Sequence, residues 1–272
     1  MSKRILIPWA IPEIGKEVLK KSKADVTFLH GPKGELPSLK ELMEATRKAD
    51  VLLPRGTQAV PRKVMMANPY LRGIANYGVG YDNIDVASAT QFGIPVTNTP
   101  GVLTETTADS AWALLMATAR KIPQAHHYTL SGEWKGPGGK SFMGLDIGPG
   151  GSNRPKVLGI IGLGRIGQAM MRRSRGFKMK VIAYDPYLKQ TIEKMKGVKY
   201  RELDDLLKES DFVTLHCPLR KETQHLIGRK ELDLMKPTAI LINTSRGPVV
   251  DERALVSALK KRKIAGAGLD VY

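Results

Sequence analysis

The run Val157-Leu158-Gly159-Ile160-Ile161-Gly162-Leu163-Gly164-Arg165-Ile166-Gly167 carries an apolar strand straight into glycines spaced G-x-G-x-x-G. Each glycine has its own task in holding a dinucleotide. Gly162 permits a tight turn, Gly164 lets a pyrophosphate approach the backbone, and Gly167 lets the following helix pack on the strand. The phosphates then sit at a helix N-terminus, where unpaired N–H groups and the positive end of the dipole stabilise them. Glycine-rich turns are common, so the context carries the reading. A strand precedes the turn, a helix follows it, and the next strand ends in Tyr184-Asp185, 18 residues after Gly167. An acid at that point accepts hydrogen bonds from an adenosine ribose and repels a 2′-phosphate, which favours NAD(H) over NADP(H).

A second strand, Leu241-Ile242-Asn243-Thr244-Ser245-Arg246-Gly247, delivers an arginine at its carboxyl end, the edge where open α/β sheets bind ligands. An arginine fork holds a carboxylate bidentately while polarising a neighbouring carbonyl. Alone, Arg246 reads equally as a surface residue. In the first half, Asn76-Tyr77-Gly78-Val79-Gly80-Tyr81-Asp82-Asn83 offers glycine-flanked N–H groups able to accept another anionic group, or a plain strand-to-helix turn. Glu252 lies at a helix start, where a carboxylate meets the dipole favourably, and reads as a cap.

The elements that must position these groups alternate along the chain. Short β-like runs at 5–7, 26–29, 51–53, 73–75 and Val96 are separated by residues such as Ile14, Val18 and Leu19 at helical spacing. Such alternation predicts a parallel sheet. One long helix is expected over 104–131, capped by Thr104 and kinked by Pro123. A glycine- and proline-rich loop or linker follows over 132–155. Beyond it the pattern is more regular: strands at 157–161, 181–184, 212–216, 240–243 and 264–269, and helices from about Arg165, at 203–208 and at 252–259. This half reads as a doubly wound sheet.

Composition bounds the answer. The chain has 272 residues, 42% hydrophobic and 25% charged, which excludes disordered, collagenous and membrane-spanning classes. The apolar run 111–119 is about half of the ~20 residues needed to cross a bilayer. Residues 1–10 read as a first strand, not a signal peptide. Cys217 is the one cysteine, so no internal disulfide forms, and a reducing compartment, the cytoplasm, is expected. The 43 basic and 26 acidic residues give a net charge of +17. Most basic residues interleave with apolar ones at helical spacing, and the one unbroken basic run, 260–263, lacks the aromatics that single-strand binding favours. The surface is therefore expected to attract small anions and not nucleic acid.

Together, residues 76–85, Val96-Thr97-Asn98-Thr99-Pro100, Thr104-Glu105-Thr106-Thr107-Ala108-Asp109, the Gly162 turn, Leu215-His216-Cys217-Pro218-Leu219 and Asn243-Thr244-Ser245-Arg246-Gly247 resemble the D-isomer-specific 2-hydroxyacid dehydrogenases over nearly the whole chain. Residues 102–109 and 142–146 look closest to the glyoxylate and hydroxypyruvate reductases. The resemblance implies an α/β protein: a doubly wound Rossmann NAD-binding domain over 102–272, incomplete at its C-terminus, and a smaller flavodoxin-like substrate domain whose N-terminal part is 1–101, lacking its C-terminal segment. It makes Arg246 the catalytic arginine, and places Arg55, Gly56, Val79 and Gly80 on the substrate. Gly162, Gly164, Arg165, Ile166, Gly167, Asp185, Cys217, Pro218, Thr223, Thr244, Ser245 and Asp270 would line the NAD. Cys217 would then pack near the cofactor and not act as a nucleophile. The implied partners are a small 2-oxo or 2-hydroxy acid and, through the nucleotide domains, a second copy in a homodimer; no metal, nucleic acid or membrane is called for.

The family's glutamate and histidine acid/base pair follows the arginine, yet His30, His126, His127, His216 and His225 all precede Arg246. His216 matches a strand-end position of the family and not the proton donor. A general acid contributes typically 10² to 10⁴-fold. The expectation is accordingly of a fragment or a shortened relative that binds NADH with little turnover, and a non-enzymatic or inactive NAD-binding module stands as the alternative to the reductase.

Overall fold

Residues 2–136, 139–150 and 154–272 are described in a computed structural model. The chain divides into two compact units, 1–102 and 103–272. In the first, strands β1 (Arg4–Ile7), β2 (Asp25–Phe28), β3 (Val51–Leu52), β4 (Gly73–Ala75) and β5 (Val96–Thr97) alternate with helices α1 (Glu13–Lys21), α2 (Leu39–Thr46), α3 (Arg62–Met66) and α4 (Val86–Gln91). The five strands are all parallel, in the order β2-β1-β3-β4-β5. That is the flavodoxin order. Alternation follows from the apolar runs being too short for anything but strands, with amphipathic segments between them. Leu6, Leu42, Leu52, Val64, Met65 and Ile74 fill the core. Ser38 starts α2 with a capping box, its N–H donating to Glu41 Oε2 at 2.8 Å.

The second unit begins with α5 (Thr104–Ala119) and α6 (Ile122–Leu130). Then come β6 (Val157–Ile161), α7 (Arg165–Ser174), β7 (Lys180–Tyr184), α8 (Lys189–Lys194), β8 (Lys199–Tyr200), α9 (Leu203–Glu209), β9 (Phe212–Leu215), α10 (Arg229–Leu234), β10 (Ile240–Asn243), α11 (Glu252–Lys260) and β11 (Gly266–Leu269). Its six parallel strands lie in the order β11-β10-β9-β6-β7-β8. The order reverses between β6 and β9, the switch point at which doubly wound sheets take ligands. Two cores cover the two faces: Trp112, Leu115, Ile160, Met170 and Phe212 on one, Leu206, Val213, Leu241 and Leu255 on the other. α5 lies close against β11, because a Cβ on Gly266 or Gly268 would come within 2.9 Å of Thr118. Arg173 ties α7 to α5 by donating to Glu105 and Asp109, each at 2.9 Å.

Several local expectations need correction. The helix expected over 104–131 is two, broken where Lys121 turns into the left-handed region at φ 54°. Pro123 sits in the first turn of α6, where its missing N–H costs nothing, and does not kink a continuous helix. Thr104 is the first helical residue and its side chain caps nothing; Leu103 holds the cap position. Within the loop expected at 132–155, residues 137–138 and 151–153 lie outside the described residues. The remainder belongs to the second unit: Ile147 is buried in its core, and the Leu145 N–H donates to Ala119 O at 2.7 Å. The short elements α3, α4, α8, β8 and α10 carry too few residues to show a period. Among the described residues no helix is long and apolar enough to cross a membrane.

Candidate functional site

β6 is buried from Leu158 onward and hands the chain to Gly162 at φ +89°, a conformation that strains any L side chain. The close approach is as strict: a Cβ there would lie 2.7 Å from Cys217 N and 2.8 Å from the His216 carbonyl carbon. At Gly167 a Cβ would run into the Gly162 carbonyl oxygen. Gly164 is different. Extended backbone gives it no conformational need for glycine, but nothing lies within 4 Å of where its Cβ would be, at the N-cap of α7. No side chain caps that helix, so its first N–H groups face open space beside Gly164. Arg165 is exposed and Ile166 half-buried on the same first turn.

The neighbouring strand ends lock this turn. Asp185, just past β7, accepts the Leu163 N–H on Oδ2 at 3.0 Å and the Tyr187 N–H on Oδ1 at 3.1 Å. Past β9, the Thr223 hydroxyl donates to Pro218 O at 2.6 Å and accepts the Arg220 N–H at 2.8 Å, closing a small loop. Cys217 is buried, and burial pushes its thiol up to about 11, so it stays a neutral packing group. His216 is half-buried. Its Nε2 lies 2.8 Å from Thr214 Oγ1, its Nδ1 has no partner among the described residues, and burial pushes it down to about 4, leaving it neutral at pH 7.

Past β10, Asn243 organises the exit: its Oδ1 accepts the Ser245 N–H at 3.0 Å and hydroxyl at 2.8 Å, while its Nδ2 donates to Arg246 O at 2.8 Å. Arg246 Nη1 donates to Ser245 O at 2.7 Å. Thr244 Oγ1 is buried with no partner among the described residues. The Asp270 N–H, past β11, donates to Asn243 O at 2.9 Å. The glycine turn, Asp185, Cys217, Pro218, Thr223, Thr244, Ser245, Arg246 and Asp270 thus share one carboxyl edge. An open cradle at Gly164 and an orphaned Thr244 hydroxyl fit a nicotinamide dinucleotide, whose pyrophosphate needs the first and whose amides and hydroxyls satisfy the second. Glu252 is not the cap expected for α11; Asp251 is, accepting the Ala254 N–H at 3.0 Å.

The first unit has its own prepared loop. Arg55 and Gly56 follow β3, and Val79 and Gly80 follow β4, with Arg55 and Tyr77 paired as a parallel bridge. Asn98 Nδ2 donates to Val79 O at 2.8 Å and Asn76 Nδ2 to Gly80 O at 2.7 Å. Asn83 Nδ2 reaches Arg55 O, Gln58 O and Asn76 Oδ1 at 3.2, 2.9 and 3.2 Å. The Val79 and Gly80 N–H groups have no acceptor among the described residues. Arg55 Nε donates to Thr57 Oγ1 at 2.8 Å. Sequence reasoning gave no role to Asn76, Asn83 and Asn98; three asparagines within a short glycine-rich stretch were the available signal.

Fold and site together define a dinucleotide-dependent α/β oxidoreductase. Residues 112–272 match the model of the D-isomer specific 2-hydroxyacid dehydrogenase NAD binding domain. The chain is 49% identical to the glyoxylate reductase of Thermococcus kodakarensis, covering 100% of this chain and 80% of that protein, and 49% identical to that of Thermococcus litoralis, covering 100% and 81%. Among solved structures, the TT0316 protein of Thermus thermophilus superposes with a TM-score of 0.86 at 38% identity over 98% of this chain and 81% of that one. The NADPH-dependent glyoxylate/hydroxypyruvate reductase of Sinorhizobium meliloti, in complex with NADP and malonate, gives 0.84 at 33% over 100% and 80%. The chain belongs to the D-isomer-specific 2-hydroxyacid dehydrogenase family, and it is an enzyme of that family; the inactive module is not favoured.

Proposed function

We propose that this protein reduces a small 2-oxo acid of the glyoxylate or hydroxypyruvate type to its 2-hydroxy acid with a nicotinamide cofactor. The observation that carries the reading is the second unit's carboxyl edge, where a glycine turn open at Gly164 and the arginine Arg246 share one sheet. When bound, the cofactor supplies the hydride. The N–H groups at the start of α7 hold its pyrophosphate, and the remaining lone pairs of Asp185 accept a ribose hydroxyl. In the first unit the Val79 and Gly80 N–H groups suit a carboxylate; in the second the Arg246 fork suits a 2-oxo acid, orienting it and polarising its carbonyl. Arg55 and Gly56 border that loop. The alkoxide left by hydride transfer takes its proton from solvent water and not from His216, which is half-buried, engaged by Thr214 and held neutral.

The Asp185 charge makes NAD(H) the preferred cofactor. α6 supports a homodimer: none of its residues is buried, and Ile122 and Leu130 are 53% and 73% exposed. A second copy seated there covers them. Ile122→Asp combined with Leu130→Asp should then convert dimer to monomer in sedimentation. The activity itself is tested by following NADH absorbance with glyoxylate and hydroxypyruvate; a protein that binds NADH yet reduces neither, nor any other short 2-oxo acid, would overturn the substrate assignment.

A further inference from the structure

We propose that Arg220, held over Tyr187, grips the adenosine end of the cofactor and sets how strictly a 2′-phosphate is refused. The proposal deepens the nicotinamide-dinucleotide reading above and rests on it.

The two residues come from loops on opposite sides of the glycine turn. β7 and β9 flank β6 in the sheet; Tyr187 follows β7 and Arg220 follows β9. Both are positioned at the backbone. The Tyr187 N–H donates to Asp185 Oδ1 at 3.1 Å, while Arg220 is held by Thr223, its N–H donating to that hydroxyl at 2.8 Å and its carbonyl accepting the Thr223 N–H at 3.1 Å. The guanidinium carbon lies 5.6 Å from the Tyr187 ring centroid. The pair therefore bridges the two loops at the exit of β6.

The exposure and charge of this pair suit it to wall a ligand. Tyr187 is 74% exposed, so burial of its ring is not what keeps it there. No carboxylate among the described residues forms an ion pair with Arg220. Asp185, the nearest acid in sequence to Tyr187, has each oxygen already accepting one backbone N–H. The adenosine end thus presents one anchored negative charge and one planar cation with donors to spare. With NAD(H), the guanidinium plane lies against the adenine, as arginine does on aromatic faces, while Asp185 takes the ribose. With NADP(H), the same fork meets the phosphate bidentately and offsets part of the Asp185 repulsion.

Fluorescence titration with NADH and NADPH tests this in wild type, Arg220→Ala, Arg220→Lys, Asp185→Asn and the double variant Asp185→Asn/Arg220→Ala. Arg220→Ala should weaken NADH about fivefold, the value of a lost cation–aromatic contact. Arg220→Lys should restore little of that, because a point charge lacks the plane. Asp185→Asn should tighten NADPH, and adding Arg220→Ala should loosen it again by about tenfold. Thermal unfolding of Arg220→Ala should match wild type, since the side chain is outside the core. NADH and NADPH affinities unchanged by Arg220→Ala in both backgrounds would overturn the proposal while leaving the cofactor reading intact. Failure of the wild type to bind either nucleotide would overturn both.

Discussion

Residues 162–167 in the second unit and 78–80 in the first both leave backbone N–H groups free at the end of a parallel strand, by opposite means. In the glycine turn the backbone conformation is itself the constraint: Gly162 is left-handed at φ +89°, and side chains at 162 or 167 would strike backbone atoms. In the 78–80 loop no such constraint acts on Gly78, where a Cβ would meet its nearest neighbour, Asn76 Nδ2, at an ordinary 3.6 Å. There the carbonyls of Val79 and Gly80 are pinned by Asn98 and Asn76, and the N–H groups of the same two residues have no acceptor among the described residues. One loop is built by leaving atoms out and the other by clamping side chains onto the chain. Their sensitivities to mutation should differ accordingly.

Gly162→Ala should have the largest effect. Positive φ and a 2.7 Å approach to Cys217 N combine, so a loss of about 4 kcal/mol and of NADH binding is expected. Gly78→Ala, measured alongside by chemical denaturation, should stay within about 0.5 kcal/mol of wild type. Equal losses at the two positions would break the distinction.

The glycine turn should also carry a pH signature, because the His216 backbone abuts Gly162. His216 titrates near 4 in the native state against an ordinary 6.5. Between those values the unfolded chain takes up a proton that the folded one refuses. Stability present above pH 6.5 is therefore lost as pH falls toward 4, by up to about 3 kcal/mol. Denaturation midpoints of His216→Gln should fall less steeply over that window; an unchanged slope would show that another group is responsible.

Arg246→Lys should lower kcat/KM about a hundredfold, with kcat falling too, because an ammonium cannot present the planar fork. Its NADH affinity should hold, which separates substrate chemistry from the dinucleotide turn. The smallest effect belongs to the clamped loop. Asn98→Ala frees the Val79 carbonyl at a cost of about one hydrogen bond, so KM for glyoxylate should rise about fivefold with NADH affinity unchanged. A change in NADH affinity instead of KM would contradict the separate tasks of the two loops.

The amino-acid sequence by itself determined the features whose cause is local. Alternating short apolar runs and helical spacings leave little but parallel α/β layers. The 162–167 turn was legible because the steric demand that excludes a side chain acts within a few residues and leaves glycine as its trace. Asp185 and Arg246 were legible as strand-end residues for the same reason. Tertiary structure alone decided the rest. The 104–131 helix breaks at Lys121, in the left-handed region, and not at the Pro123 expected to kink it. The pinning of the Val79 carbonyl by Asn98, 19 residues away, and the meeting of Arg220 with Tyr187 across β6 depend on which strands lie side by side. An asparagine that clamps a distant carbonyl and one that faces water have the same composition and the same neighbours in the chain; only the packing of the sheet separates them.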